Sequence, residues 1–243
     1  MSDPGQHPFR FEAIGTIESP YREKFGIPRQ SGLAPAARGR LIMLPPYDRP
    51  EAFEGLETAS HLWLLFVFHQ IDTTTWRPRV RPPRLGGNKR VGVFATRSGF
   101  RPNPIGLSVV KLDGIRCDKA GVSLDISGLD LLDGTPVLDI KPYIPYADAL
   151  PEARSAIAPE PPDKRLAVRF DAKAEAVISV LGEGETLRRL IEETLTLDPR
   201  PAYKGEADGR VYGMKLQGLD VRWRLAGKGM VLVTDILGCG QPP

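Results

Sequence analysis

At 243 residues, with 41% hydrophobic and 26% charged residues, the chain has the length and composition of a globular protein with one large domain, or with a medium domain and a smaller one. A formal net charge of +3 excludes a histone-like polycation, and no apolar run reaches the ~20 residues that a membrane-spanning helix needs. The two cysteines lie far apart, and with the three histidines they show no zinc-binding spacing. We therefore expect no metal site and no membrane contact. A reducing, cytoplasmic location is also expected, because the N-terminus lacks the basic start and apolar centre of a secretory signal.

Short runs of β-branched, aromatic and aliphatic residues predict a series of strands in the first part of the chain. The predicted strands cover residues 11–17, 38–44, 61–70, 91–96, 106–112 with a continuation to 115, 122–126 and 136–143. A short helix is predicted at 50–56, and the Asp133-Gly134 pair predicts a hairpin turn before the last strand. So many short strands with few helices favour a β-barrel or a β-sandwich over alternating βαβ units.

The most hydrophobic segment is HLWLLFVFHQ at residues 61–70, a continuous apolar run that predicts a fully buried strand. His69 and Gln70 end this strand, where their polar groups would face a cleft. A histidine at such a position is more often structural than catalytic, so the segment alone gives His69 no role.

The stretch GVFATRSGFRPNPIGLSVVKL, residues 92–112, joins two predicted strands through a loop rich in functional groups. Pro102 and Pro104 stiffen this loop, because each proline pushes the preceding residue away from helical geometry. Its polar side chains are those of Arg97, Ser98, Arg101 and Asn103. Two guanidinium groups, a hydroxyl, an amide and a phenyl ring suit a small polar ligand with an apolar or aromatic part. Judged from this stretch alone, the alternative is a β-hairpin whose polar side chains bind no ligand.

A second loop, residues 76–90, is strongly basic and contains no acidic residue; we call it the basic loop. Its cations are Arg77, Arg79, Arg81, Arg84, Lys89 and Arg90. Three prolines and the Gly86-Gly87 pair predict irregular, extended backbone from which these side chains project. Guanidinium groups pair with phosphates and stack on bases, which suits RNA. A solvated loop that only aids solubility is the alternative.

Two proline-rich stretches organise the rest of the chain. SPYREKFGIPRQ, at 19–30, is either a surface connection or part of a site. Residues 145–162, rich in Pro and Ala, predict a domain boundary near 159–164. Beyond it, the predicted elements are a strand at 166–170, helices at 171–181 and 186–197, and strands at 211–217, 219–225 and 230–237. They predict a small α+β domain.

Several of these segments, in this order, resemble the bacterial tRNA methyltransferase family called TrmO, also known as TsaA-like. The segments are SPY at 19–21, PRQ at 28–30, FVFHQ at 66–70, RPPRLGG at 81–87, GVFATRS-x-FRPNPIG at 92–106, DLLDGTPVLDIKPY at 130–143 and DPRPAY at 198–203. The resemblance covers about residues 8–225. It implies transfer of a methyl group from S-adenosylmethionine to N6 of threonylcarbamoyladenosine, the modified base just 3′ of the tRNA anticodon.

The same resemblance implies an architecture and an assembly. A β-barrel catalytic domain that binds S-adenosylmethionine would occupy residues 8–158, and a small α+β domain that contacts tRNA would occupy 164–243. The barrel would be a non-Rossmann methyltransferase, which agrees with the absence of a GxGxxG fingerprint after any predicted strand. A homodimer is also implied, with the cofactor pocket close to the contact between subunits.

The cofactor-binding residues that the resemblance implies come from four segments of the chain. They are Pro28, Arg29, Gln30, His69, Gln70, Arg97, Leu107, Asp130, Leu131, Leu132 and Asp133. An arginine suits the cofactor's carboxylate, an aspartate suits its ammonium group or ribose hydroxyls, and leucines suit its adenine. We expect Arg97 mainly to position the cofactor.

The catalytic candidates are His69, Arg101 and Asn103. His69, or an aspartate, would accept the proton of the acceptor nitrogen, and Arg101 or Asn103 would bind the neighbouring carbonyl oxygen. The expected RNA-binding residues are Arg77, Arg79, Arg81, Arg84, Lys89, Arg90, Tyr203 and Lys204. A non-catalytic RNA-binding module and a methyltransferase for a different small substrate are the alternative functions. A hydrolase is not favoured, because the chain has no GxSxG motif.

Overall fold

The computed structural model describes residues 9–72, 76–82, 85, 89–162, 166–200 and 209–238. The strands before residue 143 are β1 (Gly15–Glu18), β2 (Arg38–Met43), β3 (His61–Val67), β4 (Arg79–Val80), β5 (Val91–Gly92), β6 (Ile105–Asp118), β7 (Gly121–Ser127) and β8 (Pro136–Pro142). Short 3-10 helices are formed by Pro50–Phe53, Leu56–Thr58 and Val93–Ala95. The helix predicted at 50–56 is thus two separate 3-10 turns, divided by Gly55 in a left-handed conformation.

Six of these strands close into a barrel in the order β1-β2-β7-β6-β3-β8, and every neighbouring pair is antiparallel. The inward side chains alternate with outward ones and are almost all aliphatic. Fully buried members of this core are Leu41, Leu62, Leu64, Val110, Leu124 and Val137. Burial of each such side chain contributes about 1.5–3 kcal/mol. The predicted β-barrel is confirmed.

The prediction of a fully buried strand at 61–70 is wrong. β3 ends at Val67, and its buried residues alternate with half-buried ones such as Trp63 and Leu65. The reason is that a strand of an antiparallel barrel packs only one face against the core. His69 and Gln70 therefore lie beyond the strand, and both are exposed.

The hairpin predicted at Asp133-Gly134 is also wrong. The preceding residues form no strand, and β8 pairs with β1 and β3 instead. The connection between β7 and β8, residues 128–135, is held by the backbone after β1: Ser19 Oγ donates to the Leu131 carbonyl at 2.6 Å, and Ser19 N donates to Asp133 Oδ1 at 2.8 Å. We call this connection the β7–β8 loop.

The predicted strand at 91–96 is shorter than expected, and the basic loop is more regular. β5 has only two residues and pairs with β4, which lies in the basic loop. Val80 and Val93 are buried, and Val93 N donates to the Pro78 carbonyl at 3.0 Å, which stabilises this small ribbon. The chain then forms the Val93–Ala95 turn and continues to β6 as the β5–β6 loop, residues 93–104.

The second part of the chain contains α1 (Pro145–Asp148), β9 (Ala167–Phe170), α2 (Ala172–Val180), α3 (Gly184–Thr196), β10 (Val211–Leu216), β11 (Leu219–Leu225) and β12 (Met230–Gly238). The last three strands are antiparallel, and β9 joins β12 in parallel. The chain leaves β9 through α2 and α3 and returns to the far edge of the sheet as β10. Asp171 caps α2, where Oδ1 accepts from Lys173 N at 2.9 Å. This is the small α+β unit that the sequence predicts.

The connection between β1 and β2, residues 19–37, contacts both parts of the molecule; we call it the β1–β2 loop. Tyr21 forms an isolated antiparallel bridge with Leu216 of β10, and Gln217 N donates to the Pro20 carbonyl at 2.8 Å. The rings of Phe25 and Trp223 are parallel within 4°, with centroids 6.5 Å apart. The barrel and the C-terminal sheet consequently share one apolar core. None of the described helices is long and apolar enough to cross a membrane.

Candidate functional site

The candidate site is a cavity of about 560 Å³ at one end of the barrel. Its walls come from the β1–β2 loop, the end of β3, the β5–β6 loop with the start of β6, and the β7–β8 loop. Four separate stretches of sequence meet there because β3 ends where β6 begins, with Val67 opposite Ile105. The volume lies within the ~300–1,000 Å³ of typical small-molecule pockets.

An aromatic wall depends on Gly106. A side chain at this position would overlap the Phe66 ring, so glycine allows the ring to lie flat across β6. Phe66 packs edge-on against Phe68 with centroids 5.1 Å apart, and both rings line the cavity. Leu107, Leu131 and Leu132 add aliphatic surface.

Asp130 supplies the negative charge of the cavity. Its Oδ1 accepts a hydrogen bond from Ser108 Oγ at 2.7 Å. Burial raises the pKa of Asp130 to about 6, although the Ser108 hydrogen bond and the positive charge of Arg97 act in the opposite direction. The carboxyl group therefore changes its charge near pH 6, about two pH units above an exposed aspartate.

Arg97 supplies an exposed guanidinium group at the cavity. Its Nη1 donates to Gln30 Oε1 at 2.6 Å, which connects the β5–β6 loop to the β1–β2 loop. Ser31 Oγ accepts from Val109 N at 3.2 Å and fixes the same part of the β1–β2 loop to β6. A planar guanidinium held in this way suits bidentate binding of a carboxylate.

Arg101 lines the cavity and also stabilises its own loop. Its Nη1 donates to the Thr96 carbonyl at 2.7 Å, and the guanidinium lies 5.5 Å from the centre of the Phe94 ring. Phe68 N donates to the Pro104 carbonyl at 2.9 Å, so the C-terminal end of this proline-rich loop is attached to the segment that follows β3. The stiffness predicted from the prolines thus has further support from hydrogen bonds.

His69 and Gln70 lie at the exposed rim of the cavity. Lys24 Nζ donates to the Gln70 carbonyl at 2.6 Å, which adds a lysine to the arginines that line the cavity. Among the described residues, no group of three or more His, Cys, Asp or Glu side chains is arranged to hold a metal ion.

Comparison with known proteins decides the family. Residues 16–149 match the family model of the tRNA-methyltransferase O N-terminal domain, and residues 163–238 match that of the TrmO C-terminal domain. The chain is 52% identical over 223 residues to a tRNA (adenine(37)-N6)-methyltransferase of Escherichia coli (strain K12), covering 91% of this chain and 95% of that protein. This chain belongs to the TrmO family.

Two further relatives agree with this membership. A protein of Pseudomonas aeruginosa, provisionally named an S-adenosylmethionine-dependent methyltransferase, is 52% identical over 227 residues, which are 93% of this chain and 96% of that protein. A crystal structure of TrmO from Pseudomonas aeruginosa matches with a TM-score of 0.77 and 46% identity, covering 96% of this chain and 99% of that one. The TrmO fold therefore extends over nearly the whole chain.

Most of the cofactor and catalytic residues expected from the TrmO resemblance meet at the cavity. Those that line it are Pro28, Arg29, Gln30, His69, Gln70, Arg97, Arg101, Leu107, Asp130, Leu131 and Leu132. The structure places Asn103 and Asp133 outside the lining. Asn103 is exposed, and its carbonyl accepts from Ile105 N at 2.7 Å. Asp133 forms an ion pair with Arg22 and accepts from Ser19 N, so its observed contacts hold the β7–β8 loop.

Five of the eight RNA-binding residues expected for a TrmO member lie in the described part of the chain, on its surface. Arg77, Arg79, Arg81, Lys89 and Arg90 are exposed. The Arg77 guanidinium lies 4.3 Å from the centre of the Phe100 ring, and Arg79 Nη2 donates to the Arg90 carbonyl at 3.4 Å. Arg84, Tyr203 and Lys204 lie outside the described residues.

Sequence reasoning missed Ser108 and Lys24, which also line the cavity. Ser108 had a readable signal, since it is a lone hydroxyl on the inward face of β6, between Gly106 and Val110. Lys24 lies in a loop of varied composition, where no periodicity shows which side chains point toward a site.

Proposed function

We propose that the chain transfers a methyl group from S-adenosylmethionine to N6 of adenosine 37 in tRNA, when that base carries the threonylcarbamoyl group. The observation that carries this proposal is the meeting of Arg97, Asp130 and an apolar wall in one cavity. Support also comes from the E. coli relative, whose name specifies methylation of N6 of adenine 37 in tRNA.

The cavity residues fit S-adenosylmethionine group by group. The cofactor carries a carboxylate, an ammonium group, ribose hydroxyls and an adenine ring. Arg97 suits the carboxylate and Asp130 suits the ammonium group or the hydroxyls, since each offers the opposite charge or an acceptor. Leu107, Leu131 and Leu132 suit the adenine. When bound, the cofactor supplies a methyl group already activated on a sulfonium.

The protein's own part in the reaction is positioning and control of one proton. The acceptor nitrogen is urea-like, because its lone pair is delocalised into the neighbouring carbonyl. Arg101, at the cavity lining, would bind that carbonyl oxygen, and His69 would accept the nitrogen's proton; Asp130 would take that role only if the cofactor's ammonium group and hydroxyls bind elsewhere. General-base assistance of this kind contributes ~10²–10⁴-fold, and correct alignment contributes ~7–11 kcal/mol.

The proposal includes the organisation of the molecule. Residues 8–158 would form the catalytic domain and 164–243 a tRNA-contacting domain, a division supported by family matches to residues 16–149 and 163–238. A cytoplasmic homodimer is the assembly that the TrmO resemblance implies. Sedimentation of the purified protein tests the dimer directly.

The decisive experiment uses isotope-labelled S-adenosylmethionine and two tRNA preparations, from cells that contain or lack the threonylcarbamoyl mark. We expect label in nucleosides of the marked tRNA only, as a methylated threonylcarbamoyladenosine identified by mass spectrometry. Label in unmarked tRNA would overturn the assignment of the modified base as substrate. No label in either, with protein that binds the cofactor, would overturn tRNA methylation and leave a methyltransferase of another substrate.

A further inference from the structure

Two large aromatic side chains are exposed side by side next to the cavity. The rings of Trp76 and Phe94 stack with centroids 6.4 Å apart and planes 26° from parallel. Trp76 is 45% exposed and Phe94 is 69% exposed. Phe94 lies two positions before Thr96, which lines the cavity. Water therefore contacts a stacked aromatic surface beside the opening of the site; we call it the aromatic platform.

The aromatic platform stands on fixed backbone. Phe94 is the middle residue of the Val93–Ala95 turn, and Val93 beneath it is only 1% exposed. Val93 N donates to the Pro78 carbonyl at 3.0 Å, and Thr96 Oγ1 donates back to the Val93 carbonyl at 2.8 Å. Binding of a partner to these rings would cost the protein little conformational entropy, because the backbone below Phe94 is already ordered.

The sequence stretch that carries the aromatic platform contains charges of one sign. The sequence has no acidic residue from Thr73 to Leu112. In the described part of this stretch, the exposed cations are Arg77, Arg79, Arg81, Lys89, Arg90, Arg97 and Lys111. The Arg101 guanidinium also lies against one face of Phe94. Exposed aromatic rings among cations are the pattern by which proteins bind unpaired RNA, with bases on the rings and phosphates on the cations.

The same charges disfavour contact of the platform with its own equivalent in a second copy, so the homodimer implied by the TrmO resemblance would use another surface near the cavity. A twofold contact would bring one cationic patch against its own equivalent, which is repulsive and leaves charges desolvated without partners. RNA supplies the missing negative charge together with flat bases. The observations therefore favour a nucleic acid over a protein.

We propose that Trp76 and Phe94 hold an unpaired nucleobase adjoining the target adenosine, while neighbouring arginines of the basic loop contact its phosphates. This inference rests on the proposed function, because it takes tRNA as the substrate. A base held beside the cavity would keep the loop of the tRNA open and present the next base to Arg101 and Asp130. The platform would thus contribute to substrate binding and leave cofactor binding unchanged.

The test compares Trp76→Leu and Phe94→Leu, which keep an apolar side chain and remove the aromatic ring. Tyr146→Leu is the matched control, because Tyr146 is 91% exposed and lies in α1, away from the basic loop. We expect the dissociation constant for tRNA to rise by about five- to a hundredfold in both platform variants, as loss of one stacked base implies. The control should bind tRNA as the wild-type protein does, and calorimetry should show unchanged cofactor affinity in all three.

A conservative variant separates stacking from folding. Trp76→Phe retains a ring and should keep most of the tRNA affinity, whereas Trp76→Leu should not. Trp76 fluorescence should also be quenched by an anticodon stem-loop RNA, and Trp76→Phe should abolish that quenching. Equal tRNA affinity in the wild-type and leucine variants would overturn the proposal. So would sedimentation showing that the leucine variants dissociate an oligomer, because the platform would then be a subunit contact.

The outcomes for this inference and for the proposed function are distinguishable. Suppose that the wild-type protein binds tRNA, that the platform variants bind it weakly, and that no methylation occurs. In that case only the proposed reaction is overturned. If methylation occurs with the same Michaelis constant for tRNA in wild-type and leucine variants, only the platform is overturned.

Discussion

Asp130 is the residue whose environment has the clearest chemical consequence. It is the carboxylate of the cavity, it accepts from Ser108, and burial raises its pKa to about 6 from an ordinary value of 3.8. A carboxyl group with a raised pKa keeps its proton to higher pH than an exposed one. Its negative charge is therefore absent below about pH 4 and complete only above about pH 7.

The affinity for S-adenosylmethionine should consequently depend on pH. If Asp130 binds a cationic or hydroxyl group of the cofactor, the association constant should rise by up to about tenfold per pH unit between pH 4 and 6 and level off above pH 7. Asp130→Asn should bind more weakly at pH 7.5 and lose this rise. Calorimetric titrations from pH 5 to 8 measure both effects, and an identical pH dependence in the variant would show that another group is responsible.

Arg97 should contribute to cofactor binding through both its charge and its shape. We expect Arg97→Ala to raise the dissociation constant for S-adenosylmethionine about ten- to a hundredfold, since a hydrogen bond to a charged group is worth ~1.5–3 kcal/mol. Arg97→Lys should lie between, because lysine keeps the charge and loses the planar fork. Arg116→Ala is the control, as Arg116 pairs with Asp125 on the barrel wall. Unchanged affinity by calorimetry would remove Arg97 from the cofactor site.

Among the elements, the β1–β2 loop connects the two domains to the cavity. Glu23 Oε1 accepts from Lys215 N of β10 at 3.0 Å, and Phe25 stacks on the fully buried Trp223. Gly26 follows with a φ of 93° and lies against Met214. The next residues, from Ile27 to Gln30, line the cavity. The C-terminal sheet therefore fixes the position of one cavity wall without lining the cavity itself.

Substitution of Gly26 should show this connection. Gly26→Ala combines strain at a positive φ with an overlap of the new methyl group with Met214 Sδ. We expect a loss of about 1–3 kcal/mol in the free energy of unfolding and weaker cofactor binding. Gly32→Ala is a close control, because Gly32 also has a positive φ of 76° with no atom within 4 Å of the added methyl group. Equal effects of the two substitutions on cofactor affinity would mean that contact with the C-terminal sheet does not position the wall.

The sequence predicts which elements exist better than which elements pair. The run at 136–143 is a strand as predicted, but it pairs with β1 and β3, because alternation along a strand does not identify its neighbour. The run at 61–70 shows the same limit. Because every residue in its centre is apolar, the sequence does not reveal that buried and half-buried residues alternate along β3. Burial on one face or both depends on the sheet around a strand, which local sequence does not contain.

For the candidate site, too, the sequence predicts which segments take part better than it predicts their contacts. The resemblance located the loops that form the cavity, but not the orientation of each side chain within them. Asp133 lies three positions after Asp130, and the turn at Gly134 directs its contacts to Ser19 and Arg22. Asn103 is placed outside the lining although Arg101 lies in it. Side-chain direction in irregular backbone depends on hydrogen bonds to distant residues, such as those made by Ser19.

At the scale of the whole molecule, the cavity and the basic part of the sequence lie at the same end of the barrel. One end carries the cavity, the aromatic platform and the basic loop, with no acidic residue from Thr73 to Leu112. The other end carries the β6–β7 hairpin, where Lys119 lies, and the packing of Asp48 against Gly121. A net charge of only +3 is thus compatible with one strongly cationic face, because the acidic residues lie elsewhere in the sequence.

This asymmetry predicts the salt dependence of tRNA binding. The slope of log association constant against log salt concentration reflects the number of phosphates contacted, at ~0.7–0.9 per contact. Arg79→Gln with Arg81→Gln should weaken binding and reduce the slope by about 1–2. Arg49→Gln with Lys119→Gln removes the same charge away from the basic loop, and should leave the slope unchanged, since a phosphate contact requires position as well as charge. Measuring tRNA binding between 50 and 300 mM salt gives both slopes. Equal slopes in the two double variants would mean that net charge alone attracts the RNA, and that the basic loop contacts no phosphate.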